Sequence, residues 1–200
     1  EWNSPHFEKM LSDNALLIST FAKAHRKFKN PLFEKIIRQT LQWTEDALGE
    51  KDGGFACSLS AEINGVEGAH YLWSMDELKE VLGTERGKIY AKKLSPIGSS
   101  KEDAYLPRSI PLDQDWDAET DQQTLRLLAE KRGQRTDPSA DRKCLLTDHA
   151  LLARALIDAG VSFASDEWIG RAHALLLWME STYAQPGQAV SSVRFPDGSL

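Results

Sequence analysis

The residues best equipped for chemistry stand near the start of the chain, where His6 and Glu8 flank Phe7 shortly after Trp2. An imidazole and a carboxylate at this spacing can work as a general acid/base pair, or as a sugar-binding pair beside the indole of Trp2. The structural alternative is a buried histidine held by a hydrogen bond, with Glu8 and Asp13 supporting the start of a helix. Other chemistries find little footing. His6 and Glu8 merely alternate, and His25 and His173 fall within or late in helices, so no three-ligand metal cluster is expected. Gly53-Gly54 marks a turn rather than a phosphate-cradling loop. Cys57 and Cys144 have no CxxC spacing and no local base, which makes each a packed thiol rather than a nucleophile. No cofactor is expected.

Composition sets the frame for these residues. A chain of 200 residues with 41% hydrophobic and 27% charged content can bury a core and stay water-soluble. Its formal net charge of -6 provides no basic field for a nucleic-acid backbone. The one local cluster, His25-Arg26-Lys27-Phe28-Lys29, complements the dipole at a helix C-terminus. No apolar run approaches the roughly 20 residues needed to span a bilayer, so no membrane partner is expected. Two cysteines cannot frame a secreted disulfide domain, and cytoplasmic residence is the expectation. The start at Glu1-Trp2-Asn3 and the turn-like Phe195-Pro196-Asp197-Gly198 suggest a piece of a longer protein.

Helices must position the candidate residues. Residues 13–28 are predicted helical, with Leu17, Phe21, Ala24 and Phe28 on one stripe. Asn30-Pro31 supplies an N-cap and a proline at the first helical position. The helix that follows carries Phe33, Ile37, Thr40, Leu41 and Leu48 on or near its apolar face, and Gly49 ends it. A turn at Lys51-Asp52-Gly53-Gly54 leads to short strands or extended segments, Phe55–Ser58 and Ala69–Trp73. Ser74-Met75-Asp76-Glu77 matches a capping box, opening a helix that stops at Gly83. A second short helix is predicted from Thr84 to Lys93, then a long surface loop over 95–117, a helix from Glu119 to Arg132, and a polar turn over 133–143.

The last third repeats the first. Asp148-His149-Ala150-Leu151-Leu152 echoes Asp13-Asn14-Ala15-Leu16-Leu17 at an offset of 135 (148 − 13). Kept without gaps, the offset puts Ser165-Asp166 on Asn30-Pro31, Trp168 on Phe33, Leu176 on Leu41 and Trp178 on Trp43. Two antiparallel helical hairpins of one length follow. Neither can bury its apolar stripe alone, so the hairpins must stack or close into a ring.

The run from Trp2 through Pro5-His6-Phe7-Glu8-Lys9-Met10-Leu11 to Asp13-Asn14-Ala15 resembles the YyaL-type thioredoxin-domain-containing proteins, whose relatives include spermatogenesis-associated protein 20. Gly53-Gly54-Phe55, Ser58-Leu59, Gly65-Val66-Glu67-Gly68 with Tyr71-Leu72-Trp73, and Arg135-x-x-Pro138-x-x-Asp141-x-Lys143-x-Leu145 extend the likeness over nearly the whole chain. The resemblance implies an all-α fold. It is an (α/α) helical-hairpin toroid of the six-hairpin glycosidase or N-acylglucosamine 2-epimerase-like kind, with a small β-hairpin or extended insertion near 54–73. Residues 1–200 would form a partial toroid domain, and the family's N-terminal thioredoxin-like domain would lie outside this chain. The implied function is a carbohydrate-active or carbohydrate-binding domain, epimerase-like or glycosidase-like. The alternative is a non-catalytic interaction or scaffold domain that partners a thioredoxin-like module.

In such a toroid the ligand site falls near inner-helix N-termini and their loops. The resemblance therefore implies catalytic candidates His6, Glu8, Glu62 and His149. It implies substrate-binding candidates Trp2, Asp13, Glu67, His70 and Asp148. Glycoside hydrolysis needs two carboxyl groups across the bond. The family carries S-L-D-A-D-S where this chain has Ser58-Leu59-Ser60-Ala61-Glu62-Ile63, so Ser60 removes one acid and Glu62 lengthens the other. Asp148-His149 stands where the family tends to have Trp-Asn. His149 is either a proton carrier, as sugar 2-epimerisation requires, or an exposed or capping residue.

Overall fold

The computed structural model describes residues 5–93, 95–97, 104–106, 118–184 and 190–199. Its elements run β1 (Lys9–Met10), α1 (Leu11–Phe28), α2 (Pro31–Leu48), β2 (Ser58–Leu59), β3 (Glu62–Ile63), β4 (Val66–Glu67) and β5 (Trp73–Ser74). Then come α3 (Met75–Leu82), α4 (Thr84–Lys93), β6 (Ser95–Ile97), β7 (Ala104–Leu106) and α5 (Ala118–Arg132). The chain closes with β8 (Ala140–Asp141), β9 (Cys144–Leu145), α6 (Leu146–Phe163), α7 (Asp166–Tyr183) and β10 (Val193–Arg194). Helices dominate, and every strand has two or three residues. The elements form two compact units, one of residues to Phe7 with Ala61–Pro138, the other Glu8–Ser60 with Ser139–Leu200.

In the larger unit two helical hairpins, α1–α2 and α6–α7, pack through α1 against α6. The offset of 135 fixes far more than hairpin length. It maps Leu11–Phe28 onto Leu146–Phe163 and Pro31–Leu48 onto Asp166–Tyr183 without slippage. Lys29 (φ 52°) and its counterpart Ala164 (φ 50°) both turn the chain in the left-handed region. Asn30 and Ser165 then cap the second helices through the amides of Leu32 and Trp168.

The flanking strands repeat too. Met10 pairs with Ser58 and Leu145 with Val193, while Leu11 N–H donates to Cys57 O (2.9 Å) and Leu146 N–H to Ser192 O (3.0 Å). Ala56 N–H donates to Leu48 O and Ser191 N–H to Tyr183 O at the same offset. The duplication thus extends past the helices into the flanking strands, matching residues 9–10 and 56–59 with 144–145 and 191–194.

The buried stripe of α1 differs from the expected one. Leu11, Ala15, Ile18 and Ala22 are buried, whereas Leu17 is 51% and Phe28 70% exposed. The two stripes lie about 100° apart around the helix, and the buried one faces the neighbouring helices. Periodicity finds a stripe; neighbours decide which one is covered.

The smaller unit has its own core of Trp73, Leu78, Leu82, Tyr90, Ala91 and Leu128. Ser74 and Glu77 form the expected capping box at the start of α3. The small β-hairpin near 54–73 is β3–β4, turned by Asn64 (φ 54°) and Gly65 (φ 79°), the two positive-φ residues of a type I′ turn. Much of the loop expected over 95–117 lies outside the described residues, although within it β7 pairs with β6 on one side and with β5 on the other.

Arg135 ties this unit together. Its Nη1 donates to the carbonyls of Ala69 (3.2 Å), His70 (2.9 Å) and Leu72 (2.7 Å), its Nη2 to Glu77 Oε1 (2.8 Å), and its guanidinium lies 4.1 Å from the Trp73 ring centre. A lysine cannot reproduce that planar fork. Arg135→Lys is expected to destabilise the smaller unit by about 2–3 kcal/mol. Hydrogen exchange checks this: amides of α3 should lose protection while those of α1 and α6 keep theirs.

Candidate functional site

At the N-terminal end of α6, His149 is fully buried rather than exposed or capping. Phe55 N–H donates to its Nε2 (3.0 Å), so Nδ1 carries the proton and donates to Leu145 O (2.7 Å). The ring stacks on Trp178 with centroids 4.8 Å apart. Burial lowers its pKa below the ordinary histidine value, and the positive charge of Arg194 adds to this against the Leu145 hydrogen bond. The ring is a neutral clamp between the first turn of α6 and the loop after α2. Because its folded pKa is depressed, its stabilisation is present above the unfolded value and is lost as pH falls through the folded one. Its counterpart, Asn14, makes the same bond, Nδ2 to Met10 O at 2.7 Å.

Beside it, the repeat-related Asp13 and Asp148 occupy opposite environments. Asp13 is exposed and Asp148 is buried. Burial, and then the negative charge of Asp13, push the Asp148 carboxyl above the usual range.

The loop joining α2 to β2 shapes two neighbouring cavities. One, of about 350 Å³, lies between Glu45, Glu50, Asp52, Phe55, Arg171 and Trp178. The other, of about 470 Å³, opens between Glu50, Lys51, Asp52, Arg142 and Arg194. The loop is pinned by Glu50 N–H to Gly54 O (2.8 Å) and by Gly54 N–H to Asp52 Oδ1 (3.2 Å). Gly54 is required here, since a Cβ on it would stand 2.5 Å from the Trp178 ring. Arg142 pairs with Glu50 (2.7 Å), Arg194 with Asp52 (3.0 Å), and Arg171 with Glu45. The sequence reading took Gly53-Gly54 as a turn and Gly53-Gly54-Phe55 as part of the family likeness, but not as part of a site; the signal for that was Trp178, aligned with Trp43 by the repeat.

The remaining expected residues divide between the units. Trp2 lies outside the described residues. In the smaller unit His6 Nδ1 lies 3.1 Å from Glu67 Oε1, with the His6 side chain 69% exposed, so it is not the buried histidine of the structural alternative. Phe7 stacks on Tyr71 at 5.8 Å, and His70 Nδ1 bonds Thr136 O at 3.1 Å. Glu62 is exposed and sits across the hairpin from Glu67. Glu8, exposed, belongs with Asp13, Asp148 and His149 to the larger unit. Both cysteines are buried free thiols, and burial, aided by Asp141, pushes Cys57 up to about 11. Neither is poised as a nucleophile.

No family model matches the chain. Over 95 residues it is 34% identical to an uncharacterized protein of Caenorhabditis elegans, covering 43% of this chain and 13% of that protein. Over 88 residues it is 30% identical to spermatogenesis-associated protein 20 of Homo sapiens, covering 41% of this chain and 11% of that protein. The rat protein of the same name is 32% identical over 88 residues, again 41% of this chain and 11% of that one. The chain therefore spans roughly a tenth of the length of these relatives. It is homologous to spermatogenesis-associated protein 20 over that stretch. Among solved structures it is similar to a D-mannose isomerase, with a TM-score of 0.32 and 14% identity over 96% of this chain and 46% of that one. A cellobiose 2-epimerase from Spirochaeta thermophila gives a TM-score of 0.28 and 13% identity over 96% of this chain and 64% of that one.

Asp148 yields a test. A group whose folded pKa is raised stabilises below its unfolded pKa, and that contribution is lost as pH rises through the folded value. At neutral pH the buried carboxylate is therefore a cost. Asp148→Asn is expected to raise Tm by a few degrees at pH 7, on the order of 1 kcal/mol, with the gain vanishing near pH 3. A lower Tm at pH 7 would show instead that the ionised carboxylate supports the helix terminus.

Proposed function

We propose that this chain is a carbohydrate-binding domain of helical hairpins whose ligand site is the cavity walled by Trp178. The observation that carries the reading is the pairing, in one cavity, of an indole with carboxylates at Glu45, Glu50 and Asp52 and a guanidinium at Arg171. The C–H face of a pyranose stacks on an aromatic ring, while its hydroxyls donate to carboxylates and accept from a guanidinium. The resemblance to the YyaL-type family supports the same ligand class. Closure into a ring, a thioredoxin-like module elsewhere in the protein and cytoplasmic residence belong to this proposal.

Binding has more support than turnover. Ser60 stands where the family carries an acid, and both ring nitrogens of His149 are occupied by backbone groups. If the protein turns a sugar over, the solvent-facing His6–Glu67 pair is the proton-transfer candidate in the smaller unit, with Glu62 on the same hairpin. In the larger unit, Asp148 and Asp13 would be the acid and base, with Glu8 nearby in sequence. The reaction would be epimerase-like or glycosidase-like. A second reading, a non-catalytic interaction domain, draws on exposed apolar residues such as Leu16, Leu17 and Leu177.

Thermal-shift and tryptophan-fluorescence titrations against a panel of mono- and disaccharides test the proposal. One sugar class should raise Tm in a saturable way, by about 3 kcal/mol of stabilisation at a hundredfold excess over Kd. Glu50→Gln should weaken it roughly tenfold without unfolding the chain. No shift and no fluorescence change with any sugar would remove the carbohydrate reading.

A further inference from the structure

The two outer helices of the larger unit stand apart. α1 and α6 pack against each other, while α2 and α7 each pack on their own inner helix, and a groove runs between them. Both of its walls belong to this chain. On α7 the wall is Glu167, Arg171, Ala174 and Trp178, and on α2 it is Arg38, Gln42, Glu45 and Gly49. Each set has the spacing i, i+4, i+7, i+11, which is one stripe of a helix. Such a stripe is about 16 Å long.

The Trp178 cavity is one end of this groove. The other end is a cavity of about 610 Å³ lined by Arg38, Gln42, Trp43, Glu167 and Trp168, and Arg171 lines both. The Glu45–Arg171 ion pair bridges α2 and α7 at the junction.

The chemistry of the far end narrows what can lie in it. The Arg38 guanidinium is held by Glu34 and lies 4.7 Å from the Trp168 ring centre, and Gln42 Nε2 donates to Asp46 Oδ1 (2.9 Å). Trp168 itself is buried, so the indole offered to a ligand is that of the half-buried Trp43. Planar amides, carboxylates and guanidiniums suit a dense array of hydroxyls, since each can hold more than one. Arg38 and Arg171 stand interspersed with Glu45, Asp46 and Glu167, so no field of one sign favours a polyanion or a polycation. A helical peptide would need a row of apolar anchors, and at this end the facing stripes are polar.

We propose, resting on the carbohydrate reading of the Trp178 cavity, that its ligand is a neutral oligosaccharide. One pyranose stacks on Trp178, and the following units run past Glu45 and Arg171 to Trp43. The stripe is longer than one pyranose can fill.

Isothermal titration of the full chain tests this with β-1,4-linked glucose and mannose chains and α-1,4-linked glucose chains, each of one to five units. In one series Kd should fall roughly tenfold between one unit and four. Trp43→Ala should abolish that fall and leave the single-unit Kd unchanged. Gln42→Ala, at an exposed position, should reduce the fall and serves where the tryptophan change disturbs the far-UV spectrum. A single unit that binds as tightly as four, or a fall that survives both variants, overturns the oligosaccharide and leaves the carbohydrate reading standing. A polygalacturonate chain of four units that binds more tightly than every neutral chain overturns the neutral class. No binding at any length overturns the proposal, and the carbohydrate reading falls with it only if the sugar panel is silent too.

Discussion

The larger unit depends on α1 lying against α6. A lone amphipathic hairpin leaves one side of its inner helix in water, and each fully buried Leu or Ile gains about 1.5–3 kcal/mol only when a neighbour covers it. Small residues let the helices approach. Ala15 and Ala22 of α1 and Ala153, Ala155 and Ala159 of α6 are all buried. Gly160 serves the same end between α6 and α7, where a Cβ would stand 2.6 Å from Ile169 Cδ1. Close packing of this kind fixes register, because a shift along either helix would drive side chains into backbone.

From that register follow the polar features. Parallel stacking of α1 and α6 puts Asp13 and Asp148 near one another, and it brings His149 within reach of the Phe55 amide. The clamp in turn holds the Gly49–Phe55 loop against Trp178, which gives the candidate cavity its wall. The two copies share a backbone and diverge in what they do with it. Asn14 and His149 make the same bond to the carbonyl four residues back, yet only the imidazole reaches the next loop and fills the space beside Trp178.

The helical part was legible in the sequence because its signals are local. Asn30-Pro31 and Ser74-Met75-Asp76-Glu77 announce helix starts by capping chemistry that needs no distant partner, and both lie where expected. The offset of 135 was legible from residue types alone. The burial of α1 was not: Leu17 and Phe28 are as apolar as Leu11 and Ile18, and only the position of α2 and α6 decides among them. The candidate site was less legible for the same reason. The Arg135 clamp spans up to 66 residues and the His149–Phe55 bond 94, distances at which spacing carries no information. His6 and Glu67 came out of the sequence as separate candidates and stand 3.1 Å apart, Nδ1 to Oε1.

Residue-resolved hydrogen exchange of the larger unit tests the central claim, that two hairpins of one register form a single cooperative stack. Under native conditions the Phe55 amide should exchange through the same opening as the amides of Leu11 and Leu146, with one shared free energy. The amide of Val190, its exposed counterpart at the offset of 135, meets no imidazole among the described residues and should exchange orders of magnitude faster. Phe55 exchanging as fast as Val190, or α6–α7 opening independently of α1–α2, would contradict the account.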